Sequence, residues 1–149
     1  MSPRVAAIPL LLLGLLGCTV ALIDPRFSLP GIAVGIVAFF AAGTLSSNAW
    51  QLAKSLRPLL GKPLRFEVWG VAADADARFE IETASAFGAG LLIHLHRVPG
   101  GPRLLLKVAQ PRAARREDGL LEIGEAAYVS WAGTRLARVA GAPALVIRG

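Results

Sequence analysis

The sequence predicts a membrane-inserted hairpin of two transmembrane helices followed by a small all-β domain, either a barrel or a sandwich. Two uncharged apolar runs of spanning length come first, and five residues containing a proline and two charges separate them. From about Gly61 the apolar residues change to alternation with polar ones, the period of a half-buried strand. Composition agrees: 54% of the 149 residues are hydrophobic and 17% charged, where an ordinary soluble domain carries about 25% charged residues. One cysteine excludes an intramolecular disulfide, and the length excludes most enzymes with a separate cofactor fold.

The first run, Val5 to Ile23, has nineteen residues without a charge, and the second, Leu29 to Ala53, has twenty-five. As helices they would be roughly 28 and 37 Å long, against a hydrocarbon core of about 30 Å. The short link leaves room only for a tight reversal, with Ser28 placed to cap the second helix and Pro30 in its first turn. The second run exceeds a bilayer, so its last turns are expected to emerge as an amphipathic neck reaching about Arg57, ahead of Pro58. Trp50 would mark the interface, with Ala49, Leu52, Leu56 and Leu59 on one face and Lys54 and Arg57 extending to headgroups. The expected division is therefore residues 1–60 for hairpin and neck and residues 61–149 for the β-domain.

Leu15-Leu16-Gly17-Cys18 also has the look of a bacterial lipobox, whose cysteine would become a lipidated terminus. The run continues apolar through Ile23 and a second span follows, so Cys18 is read instead as a small residue within a helix. Positive charge sets orientation: Lys54, Arg57, Lys62 and Arg65 follow the second span, against Arg26 in the turn. This places both termini in the cytoplasm, Arg4 adding positive charge at the first. Thirteen arginines against three lysines point to GC-rich coding and a bacterial inner membrane as the expected address.

In the second domain, Leu64, Phe66 and Val68 alternate with Arg65, Glu67 and Trp69, and Phe79 and Ile81 alternate with Arg78, Glu80 and Glu82. Leu91 to Val98 and Arg103 to Val108 flank Pro99-Gly100-Gly101-Pro102 and read as a hairpin. Further strands are expected at Leu120 to Ile123, Ala127 to Trp131, Thr134 to Val139 and Ala144 to Arg148. The apolar set of these strands, Leu104, Leu136 and Val139 included, is the expected core.

A membrane hairpin ahead of a β-domain resembles the layout of short membrane proteins of the NfeD type, with Ala132-Gly133-Thr134-Arg135-Leu136 before a final strand. That resemblance implies an OB-like barrel.

Chemistry-bearing residues are sparse. His94 and His96 share a strand face at a spacing that suits a metal, but a third ligand would have to come from Glu80 or Glu82 on an adjacent strand. Asp74 and Asp76 fall in an alanine-rich connection and read as turn formers. Neither Ser85 nor Ser130 lies in a nucleophile turn that would pair with His94. Phe87-Gly88-Ala89-Gly90 lacks the lysine of a phosphate loop and reads as a bulge or bend. No catalytic, metal or cofactor residue is assigned, and no cofactor is expected.

Two features remain. Gly31 and Gly35, continued by Ala42 and Gly43, make a small-residue strip for close helix packing, against either the first helix or a partner. Arg112, Arg115 and Arg116 form a basic loop, and residues 54–149 hold fourteen basic and nine acidic residues, a net +5. With Trp50, Lys54 and Arg57, these arginines are the expected lipid-surface residues. Small barrels with exposed aromatics such as Trp69 and Tyr128 can bind single strands, but nucleic acid is not expected as a partner. The expected function is that of a non-catalytic membrane accessory or scaffolding subunit in contact with lipids and with a membrane-protein partner or further copies of itself. The alternative is a membrane-tethered ligand-binding regulator or enzyme built on the β-domain.

Overall fold

The computed structural model describes residues 3–149, apart from the side chains of Pro3, Arg4 and Ser46. The charge of Arg4 therefore lies outside the described residues. The chain forms two compact units, Met1–Ser47 and Asn48–Gly149.

The first unit is a helical hairpin, α1 (Pro3–Ile23) and α2 (Ser28–Ser46), joined by a 3₁₀ turn at Pro25–Phe27. Both helices are long and apolar enough to cross a membrane. The reversal is tied by Asp24, whose carboxylate accepts from the Arg26 amide at 2.9 Å. Ser28 does not cap α2 as expected: it is the first helical residue, and its hydroxyl donates to the Pro25 carbonyl at 2.9 Å. The preceding 3₁₀ turn already supplies partners there.

The second run does not continue as one helix into a neck. Thr44 Oγ1 bonds back to the Phe40 carbonyl at 3.0 Å, Ser47 Oγ donates to the Thr44 carbonyl at 2.6 Å, which satisfies an end-of-helix acceptor, and Ser47 turns extended at ψ 151°. A separate helix, α3 (Asn48–Ser55), then begins in the second unit. Its Ala49, Leu52 and Ala53, with Leu56 just beyond, are buried in the same core as the strands. The boundary consequently falls at Ser47, ahead of residue 60, because the apolar face of the expected neck packs on protein.

The rest of that unit is ten strands in two antiparallel sheets. One sheet has the order β2 (Val71–Ala72), β1 (Arg65–Val68), β10 (Leu145–Arg148), β7 (Leu120–Glu125), β6 (Arg112–Glu117). The other runs β3 (Arg78–Phe87), β4 (Gly90–Val98), β5 (Arg103–Ala109), β8 (Tyr128–Trp131), β9 (Thr134–Leu136). The two meet at the bridge between Leu64 and Phe79. Phe66, Phe79 and Trp131 form an aromatic cluster at the core, the Phe79 and Trp131 rings edge to face with centroids 5.2 Å apart.

Four expectations need correction. Residues 112–117 are a strand, although every one of them is exposed, because an edge strand lying beyond the core carries no apolar alternation. Val139 is exposed, since β9 ends at Leu136 and the alternation stops with it. Trp69 is buried rather than outward: it takes φ +51° after β1, and that left-handed turn reverses the side to which its ring points. Phe87 and Gly90 pair directly, so Gly88 and Ala89 are a two-residue hairpin turn, with Gly88 at φ +58°.

Candidate functional site

Three groups of residues were candidates. In the hairpin, Gly31 and Gly35 face α1. A Cβ on Gly31 would stand 2.6 Å from the Gly17 carbonyl oxygen, and one on Gly35 would stand 2.7 Å from Cys18 Sγ. Gly14 lies under the Phe39 ring, and Ala38 and Ala42 are buried beside this seam. The strip thus accommodates the protein's own first helix. Gly43 is set apart from it, for a Cβ there would meet nothing within 4 Å.

The histidine pair is divided by its neighbours. Glu80 does stand opposite His96, and a bulge after Ile81 brings in Glu82, so both carboxylates approach the one imidazole at 3.5 and 3.2 Å. Glu82 is shared with Arg103 at 3.1 Å. His94 instead stands opposite Thr83 and Leu105. Among the described residues no group of three or more His, Cys, Asp or Glu is placed to hold a metal ion. Asp74 pairs with Arg97 at 3.0 Å. Ser130 stands opposite Lys107 and Arg135 and Ser85 opposite Leu92 across the ladders, so neither serine is paired with His94 in its strand register.

The third group makes a cleft. Edge strand β6 pairs with β7 so that Arg116 is opposite buried Leu121 and Arg115 is opposite Glu122. Arg115 is engaged by Glu117, whose hydrogen bond and charge raise its pKa and hold the guanidinium ionised. Arg112 and Arg116 form no ion pair among the described residues. Across from the strand, α3 presents Asn48, Gln51 and Ser55, with Asn48 Nδ2 donating to the Pro111 carbonyl at 3.4 Å. Strand and helix enclose about 400 Å³, lined by these polar groups and by Leu52 and Leu121. Trp50 and Lys54 lie on α3, the Lys54 ammonium 3.9 Å above the indole. Arg57 falls in the 3₁₀ turn that follows. The arginines were legible as a basic cluster. The cleft was not, because it depends on α3 folding against the β-domain.

Two other surfaces carry polar groups. Tyr128 sits with Arg135 3.9 Å over its ring, and the Lys107 ammonium, donating toward the phenol oxygen, lowers its pKa below the usual 10, aided by both positive charges. Trp69 Nε1 is buried without a hydrogen-bond partner among the described residues. Set against known proteins, the chain matches no family model, no curated protein sequence and no solved structure. Its own geometry therefore carries the functional reading.

Proposed function

We propose that this chain is a non-catalytic integral membrane accessory protein, a self-packed hairpin anchoring a β-domain at the cytoplasmic face of a bacterial inner membrane. Both termini lie on that face and the Asp24–Ser28 reversal on the other. The supporting observation is the inverted packing of the hairpin: small residues fill the seam while Leu12, Leu16, Leu22, Leu29 and Val37 point outward. In water, exposure of that much contiguous apolar surface would drive aggregation, whereas in a bilayer it meets acyl chains. The β-domain, with its charged exterior and net positive balance, suits the aqueous side next to anionic lipid. The outward face of the hairpin is also where a membrane partner or a second copy would pack.

The test is alkaline extraction of membranes followed by mild-detergent purification of the full chain. It should stay in the membrane pellet and then migrate with a stoichiometric partner or as an oligomer. Release into the aqueous fraction would contradict anchoring, and a partnerless monomer would contradict the accessory role.

A further inference from the structure

We propose that the cleft between α3 and β6 is a binding site for the phosphate headgroup of an anionic phospholipid. The chemistry is that of its lining. Arg112 and Arg116 supply guanidinium forks suited to phosphate oxygens, and Asn48, Gln51 and Ser55 supply further hydrogen-bonding groups. Leu52 and Leu121 give the same cleft an apolar floor, which a free phosphate would not use and the glycerol and first methylenes of a lipid would. The volume of about 400 Å³ suits a headgroup rather than a macromolecular surface.

Charge arrangement sharpens the choice. All three arginines line the cleft, but Arg115 is paired with Glu117, while Arg112, which stands opposite Glu125 in the ladder, and Arg116 form no ion pair among the described residues. Chain connectivity supplies the second argument. Asn48 lies two residues past Ser46, where α2 ends, and three past Leu45, the end of the second candidate span, so the cleft begins within one helical turn of that span. This inference rests on the membrane anchoring proposed above, since only a span ending there brings a headgroup to that point.

The experiment titrates the full chain, purified in mild detergent, with phosphatidylglycerol or phosphatidylcholine and counts retained lipid by native mass spectrometry. Wild-type protein should retain phosphatidylglycerol in preference. Arg112→Gln with Arg116→Gln should reduce that preference by about 25-fold, roughly fivefold for each basic group near an anionic headgroup. Gln51→Trp, which fills the cleft without changing charge, should reduce it comparably, and circular dichroism verifies that each variant folds. Undiminished preference in either variant overturns the site, pointing to diffuse charge if Gln51→Trp alone is silent. Displacement of the lipid by equimolar glycerol phosphate overturns the lipid assignment in favour of a soluble phosphate. A chain that stays in alkaline-washed membranes yet shows no preference fails this inference alone, whereas one released to the aqueous fraction fails the anchoring as well.

Discussion

In the hairpin, leucine, isoleucine and valine point away from the helix pair while glycine and alanine fill its seam. In the β-domain, Leu91, Ile93, Leu95, Ile123 and Ile147 fill the interior and arginine, lysine and glutamate cover the outside. Of the twenty-three large hydrophobics exposed among the described residues, eighteen fall in residues 5–40 and five beyond residue 48. The same side chains are used in opposite directions, and the membrane anchoring proposed above accounts for this as a difference of solvent. Water drives large apolar groups inward, whereas in lipid the acyl chains are as apolar as leucine and helices associate through close backbone approach. Helix α3 belongs with the water-type packing although its sequence runs on from α2.

The largest expected effect tests that assignment. Leu56→Ala removes a fully buried side chain and should destabilise the β-domain by about 2–5 kcal/mol. Lys54→Ala, on the exposed side of α3, should stay within about 0.5 kcal/mol. Chemical denaturation followed by near-ultraviolet circular dichroism, which reads the aromatic cluster, measures both. Equal, small effects would return α3 to the hairpin.

A smaller effect is expected inside the hairpin. Gly31→Leu forces a side chain against the Gly17 carbonyl and Ala21, and overpacking of this kind costs about 1–3 kcal/mol. Gly43→Leu meets no such obstacle. Thermal unfolding of the full chain in detergent, followed at 222 nm, should fall for the first and hold for the second. Equal shifts would mean that Gly43 shares the seam.

The smallest effect concerns the water-facing side of the β-domain. Tyr128 is the one tyrosine, so tyrosinate absorbance at 295 nm reports it alone. Its midpoint should fall below 10, because Lys107 and Arg135 favour the phenolate, and Lys107→Met should raise it. A midpoint above 10 in the wild type would place this face in an apolar medium.

Much of this contrast was legible in the sequence. Unbroken apolar runs gave both helices, alternation gave β4, with Ile93 and Leu95 on the buried side, and the Pro99-Gly100-Gly101-Pro102 turn gave its hairpin partner β5. What was illegible had specific causes. The break at Ser47 carries no proline or glycine and rests on the Ser47 hydroxyl satisfying a helix carbonyl. Strand β6 has no inward apolar residue to mark it. Trp69 is redirected by the left-handed two-residue turn that it forms with Gly70. The basic cluster could be read at Arg112, Arg115 and Arg116, but the cleft that they line, and the pairing of Arg115 alone with Glu117, required the folded strand against α3.

The central claim is that the two units stand in different solvents, and Leu16 and Phe87 test it. They are almost equally exposed, at 61% and 67%, one on the hairpin and one on the β-domain. Single cysteines at these positions in a Cys18→Ser background would be treated with a water-soluble maleimide in native membranes, with detergent-denatured samples giving full labelling. Phe87→Cys should label at close to the denatured rate and Leu16→Cys should stay unlabelled until the membrane is dissolved. Equal labelling of the two in intact membranes would contradict the account.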